Sequence, residues 1–185
     1  MAALLCSLSL LVACATPPTR EMDQAQGSID AARAAGADRY ATEQYEAAVK
    51  ALQNAEDAVA QRDYRLALNH ALDSRDRAQR AAKEAATQQA VQRSAAERRL
   101  GQVTASLDQA KQRLKMAESA RLPRRALAAA RAAIDEAEAS LQKAGTGIQQ
   151  DNYKMSQEQL AESAKNLESA MAEIDTVLKT RGRRR

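Results

Sequence analysis

Ala51-Leu52-Gln53-Asn54-Ala55-Glu56 and Ala133-Ile134-Asp135-Glu136-Ala137-Glu138 carry the same pattern 82 positions apart. Upstream, Met22-Asp23-Gln24-Ala25 matches Leu107-Asp108-Gln109-Ala110, after which Ile29 falls on Leu114 and Ala32 on Ala117. Downstream, Asp63-Tyr64-Arg65-Leu66 matches Asn152-Tyr153-Lys154-Met155, and Ser74 falls on Ser163. The second copy lacks a counterpart of Gly36-Ala37-Asp38 and is longer by seven residues before its Asn-Tyr. Seven residues are about two helical turns. The insertion either lengthens a helix without rotating its buried face or forms a loop around Gly145 and Gly147.

Within each copy the apolar residues recur at spacings of three and four, the period of a helix with one buried face. Tyr45, Ala48, Leu52, Ala55 and Val59 form one such face, and Leu127, Ala130, Ile134, Ala137 and Leu141 form its counterpart. Tyr64, Leu68, Ala71, Ala78, Ala82 and Ala85 follow, with Arg75 interrupting the stripe; their partners are Tyr153, Leu160, Ala164, Leu167, Met171, Ile174 and Leu178. Leu100, Val103, Leu107, Ala110, Leu114 and Ala117 make the clearest heptad. They predict one helix from about Tyr64 to Ala117, with a bend or a solvent-bridging stretch over Ala86 to Arg99. Asp63 suits an N-cap and Pro123 the first turn of a helix. The expected fold class is all-α: elongated antiparallel helical hairpins of coiled-coil type, duplicated, with one long helix linking the copies.

Composition agrees. The chain has no Trp or Phe and four Tyr, yet 45% of its 185 residues are hydrophobic, most of them Ala and Leu. Ala has the best helix propensity, and β-branched and aromatic residues are too few to fill strands. The expected segments are 1–13, a signal peptide; 14–21, a Pro-containing tether; 22–99 and 100–178, the two hairpin copies; and 179–185, a basic disordered tail. The net charge of +4 equals the contribution of Arg181, Arg183, Arg184 and Arg185, so the helical body is near neutral.

Residues 1–13 are uncharged and rich in Leu, too short an apolar run for the ~20 residues of a spanning helix. The basic segment that should open a secretory signal is absent, which points to a weak signal or to residues upstream of Met1. The run closes in Leu11-Val12-Ala13-Cys14, which resembles a bacterial lipobox. The resemblance implies cleavage before Cys14, a diacylglycerol thioether on its sulfur and acylation of the new amino terminus. Several acyl chains together anchor stably, because each buried methylene contributes about 0.8 kcal/mol. Ala15, where Asp would imply inner-membrane retention, points by the same resemblance to the outer membrane and its periplasmic face. Cys6 falls within the removed segment, so no disulfide is expected.

Tyr40-Ala41, Ala48, Leu52, Ala55, Asp63-Tyr64, Ala67 and Ala71 together resemble the bacterial domain-of-unknown-function family 4398. Its members are small helical envelope proteins, often lipoproteins. The likeness covers roughly residues 22–85. The family pattern has Tyr-Ala-Pro at the first helix start and Gly-Asp-Tyr at the turn, where this chain has Tyr40-Ala41-Thr42 and Arg62-Asp63-Tyr64. The Asp-Tyr spacing is also similar to that of tetratricopeptide repeats, but those recur every 34 residues and this chain every 82 to 89.

The chemistry-bearing residues are few. His70 is the only histidine, and on a helix its nearest polar neighbours are Asp73 and Ser74. Gly145-Thr146-Gly147 lacks both the spacing and the Lys-Ser/Thr of a phosphate loop. Bulky residues that could line a ligand cavity are scarce. No enzymatic activity, cofactor, metal or small-molecule substrate is expected. The expected role is a lipid-anchored periplasmic scaffold of the outer membrane, with a protein partner or self-association through its helices. The alternative is an adaptor of tetratricopeptide-like hairpins that binds another envelope protein or an anionic envelope polymer. Candidate contact residues are Tyr64 and Tyr153 at the hairpin tips. Arg181, Arg183, Arg184 and Arg185 are candidates for polyanion contact; nucleic acid is the least accessible polyanion in an envelope.

Overall fold

A computed structural model describes residues 16–182, with the backbone alone for 181 and 182. The lipobox residues Leu11, Val12, Ala13 and Cys14, and the tail residues Arg183, Arg184 and Arg185, lie outside the described residues. The helices are α1 (Thr19–Ala34), α2 (Ala37–Tyr40), α3 (Thr42–Ala60), α4 (Tyr64–Ser119), α5 (Ala128–Gln149) and α6 (Tyr153–Gly182). A 3-10 turn, Arg124–Leu127, precedes α5, and no strand occurs among the described residues. The fold is all-α, built of antiparallel helical hairpins, as the spacing predicts.

Contacts divide the chain into two units between Gln88 and Gln89. The long helix α4 crosses that division without a break, so the polar stretch over Ala86 to Arg99 remains helical. The first unit packs α1, α2 and α3 with the start of α4, and the second packs the rest of α4 with the 3-10 turn, α5 and α6.

In the first unit, α1 and α3 run antiparallel, with Arg33 Nε donating to Tyr45 Oη at 2.7 Å. α3 and the beginning of α4 are also antiparallel, with Ser74 Oγ donating to the Ala48 carbonyl at 2.8 Å. Arg75, which interrupts the apolar stripe, reaches Gln24 Oε1 of α1 at 3.0 Å. The core joins Ala25, Ile29 and Ala32 to Ala48, Leu52 and Ala55, and to Ala71, Ala78, Ala81 and Ala85. α4 presents only small side chains to this core. A serine hydroxyl that bonds a backbone carbonyl on the facing helix requires the two backbones to lie close. Small residues make that approach possible.

In the second unit, the rest of α4 runs antiparallel to α5, as shown by Lys111 with Glu138 and Arg131 with Glu118. It runs parallel to α6, as shown by Gln157 with Gln92 and Arg113 with Asp175. The core here is larger-grained: Val103, Leu107, Ile134, Leu160 and Leu167, continuing to Leu127 and Ile174. Fully burying one such side chain is worth about 1.5–3 kcal/mol, much more than an Ala.

The duplication is visible in burial. Ala67, Ala71, Ser74, Ala78, Ala81 and Ala85 are all buried on α4, and Ser156, Leu160, Ser163, Leu167, Ala170 and Ile174, each 89 positions on, are all buried on α6. α3 matches the 3-10 turn and α5 likewise: Tyr45, Ala48, Leu52 and Ala55 are buried, and so are Leu127, Ala130, Ile134 and Ala137, each 82 positions on. The seven extra residues of the second copy lengthen a helix. Arg124–Leu127 and α5, of 4 and 22 residues, stand where α3 has 19. Gly145 and Gly147 are therefore helical, and the loop alternative does not occur. Pro123 lies just ahead of the 3-10 turn with ψ 130°, not inside a helical first turn.

Both chain ends of the described region are more ordered than composition suggests. α1 begins at Thr19 and Pro18 is buried, so residues 19–21 of the expected tether are helical. α6 continues through Gly182, where a disordered tail is expected from Lys179. Thr176 and Thr180 contribute hydroxyl bonds to carbonyls one turn back.

Candidate functional site

The candidate contact residues Tyr64 and Tyr153 follow two turns of the same construction. After α3, Arg62 N–H donates to the Val59 carbonyl and Asp63 N–H to the Ala58 carbonyl, both at 2.9 Å. After α5, Asp151 N–H donates to Ile148 and Asn152 N–H to Gly147, at 3.3 and 2.9 Å. This paired bonding is the Schellman motif, and it needs a left-handed residue just past the helix end. Arg62 and Asp151 supply it, each with φ 59°. The same device closes α4, where Arg121 has φ 54°. Asp63 then caps α4 as expected, its Oδ1 accepting from Leu66 N–H at 3.0 Å.

The two tyrosines diverge despite their shared position. Tyr64 is half-buried, whereas Tyr153 is only 3% exposed and its hydroxyl donates to the Asp151 carboxylate. Tyr153 is thus buried and ties its hydroxyl to its own turn. Tyr64 keeps part of its ring in solvent.

Arg181 lies on α6, and nothing is described of its side chain. His70 is half-buried. The neighbours expected for it are engaged elsewhere: Asp73 pairs with Arg77 at 2.8 Å, and Ser74 bonds across to α3. The hydrogen bond that Arg77 donates to Asp73, and then the carboxylate's charge, raise the Arg77 pKa above its ordinary value. Among the described residues, no three His, Cys, Asp or Glu side chains come together as metal donors would. No described helix is long and apolar enough to cross a membrane.

One recess of about 140 Å³ opens between α5 and α6, walled by Glu136, Lys143, Gln159, Glu162, Ser163 and Asn166 among others. Ligand pockets for drug-sized molecules span about 300–1,000 Å³. This one would hold a few waters or a very small polar solute, and its walls carry both signs of charge. Nothing in the linear spacing marks it, because its walls come from two helices.

No family model, curated protein or solved structure matches this chain.

Proposed function

We propose that this chain is a lipid-anchored scaffold of the bacterial outer membrane, facing the periplasm and acting through helix contacts without catalysis. The observation that carries the reading is Leu11-Val12-Ala13-Cys14 followed so closely by folded helix. Only residues 15–18 separate Cys14 from the first residue of α1. At about 3.3–3.6 Å per extended residue, acyl chains on Cys14 would hold the first unit within ~20 Å of the lipid surface. The resemblance of residues 22–85 to family 4398 of small envelope proteins points the same way. A duplicated set of helices with charged outer faces suits a part that positions other components.

The test is metabolic labelling with a radiolabelled or clickable fatty acid, followed by membrane fractionation. The wild-type chain is expected to label and to fractionate with the outer membrane, and Cys14→Ala to lose both properties. A Cys14→Ala protein that labels and fractionates as wild type refutes the anchor.

A further inference from the structure

We propose that the end of the second unit opposite the α5–α6 turn is a docking surface for an anionic phospholipid bilayer. Antiparallel packing gathers four segments at that end: the last turns of α4, the connection through Pro123, the start of α5 and the last turns of α6. Residues 113–131 and 175–182, which make it up, contain eight Lys and Arg but only two carboxylates, Glu118 and Asp175. Both carboxylates are engaged, Glu118 by Arg131 at 2.5 Å and Asp175 by Arg113 at 2.6 Å. Lys115, Arg121, Arg124, Arg125 and Lys179 are exposed, and none forms an ion pair among the described residues.

Helix electrostatics does not account for the placement. Lys115 and Lys179 near the C-termini of α4 and α6 complement those helix dipoles. Arg124 and Arg125 stand immediately ahead of α5, whose N-terminus repels cations. They are held there against the local field, and an external anion relieves the repulsion. Met116, 57% exposed, sits beside Lys115 on α4. An apolar side chain among cations is the composition of an interfacial lipid contact. A stacking site for single-stranded nucleic acid needs aromatic rings. The four tyrosines of the chain are at positions 40, 45, 64 and 153, none of them in these segments. The lipid surface is therefore the favoured partner. This docking is independent of acylation at Cys14, because it concerns a separate part of the chain.

The test uses the full chain carrying Cys14→Ser, sedimented with phosphatidylcholine vesicles with and without phosphatidylglycerol. Each Lys or Arg near an anionic surface contributes roughly a fivefold gain in partition. Replacing Lys115, Arg121, Arg124, Arg125 and Lys179 by Gln is expected to lower partition onto phosphatidylglycerol vesicles by roughly a hundredfold or more. A matched set elsewhere, Lys50, Arg62, Arg65, Lys143 and Lys154 to Gln, is expected to lower it less than about tenfold. The pair Arg124→Gln and Arg125→Gln, which precedes α5 and leaves every α-helix untouched, is expected to cost about tenfold or more. Equal losses from the two five-residue sets overturn the proposal, as does equal binding to vesicles lacking phosphatidylglycerol. Tighter binding to a duplex oligonucleotide than to the vesicles also overturns it and assigns the surface to nucleic acid.

Discussion

Gly147 offers the sharpest test of how closely α5 and α6 pack. A methyl group added at Gly147 would clash with Ser156 Oγ and stand 3.8 Å from Ser156 Cβ, an ordinary contact. The obstacle is therefore the hydroxyl alone. Ser156 is 2% exposed, and its hydroxyl donates to the Asn152 carbonyl at 2.9 Å. Gly147→Ala gains about 1 kcal/mol of helix propensity but must rotate the buried hydroxyl. That breaks a bond worth about 0.5–1.5 kcal/mol and forces local overpacking worth about 1–3 kcal/mol. The expected net loss is about 1 kcal/mol, a fall of some 2–4 °C in Tm for a chain of this size.

Ser156→Ala removes the obstacle and should itself be close to neutral, since a hydroxyl bonded one turn back stabilises a helix little. In that background Gly147→Ala should become stabilising by about 1 kcal/mol, so the two substitutions couple by about 2 kcal/mol. Gly145→Ala is the control, because a methyl there meets nothing within 4 Å; it should stabilise by about 1 kcal/mol on its own. Urea and thermal unfolding followed by far-UV circular dichroism measure all four variants. If Gly147→Ala stabilises as much as Gly145→Ala, or if its cost persists in the Ser156→Ala background, the packing argument is wrong.

Arg62→Gly should stabilise by about 0.5–1 kcal/mol in the same unfolding assay, because a left-handed side chain costs about 1–2 kcal/mol and glycine avoids it at some entropy cost. Asp151→Gly should gain nothing, because Asp tolerates that conformation and its carboxylate holds the Tyr153 hydroxyl. Ala78→Leu should destabilise by about 1–3 kcal/mol through overpacking of the small-residue seam, while Leu167→Ala at the matching position should cost about 2–5 kcal/mol by leaving a cavity. Arg113→Gln removes a partly exposed ion pair and should cost less than about 1 kcal/mol, a value that double-mutant cycles with Asp175→Asn would confirm.

Of the candidate contact residues, the sequence located the turns but not their exposure. Asp63-Tyr64 and Asn152-Tyr153 look alike in the chain, and both follow a Schellman turn. Only the surroundings differ: Tyr153 is buried with its hydroxyl on Asp151, whereas Tyr64 is half-buried. The buried serines were equally illegible, since Ser74, Ser156 and Ser163 count as polar until the facing helix is known.

What the sequence determined by itself is local. Apolar spacing of three and four, alanine's helix propensity and the Asp-Tyr turns specify the helices. The repeat at 82 to 89 residues specifies that the pattern occurs twice. Those signals act within one or two turns of chain, where 3.6-residue periodicity is read directly. Tertiary structure alone decided that the seven-residue insertion extends α5 and that α6 reaches Gly182. It alone brought Lys115, Arg124, Arg125 and Lys179 to one end, because their proximity depends on which helices lie antiparallel and in which register. Register is a property of packed faces, and a linear pattern does not contain it.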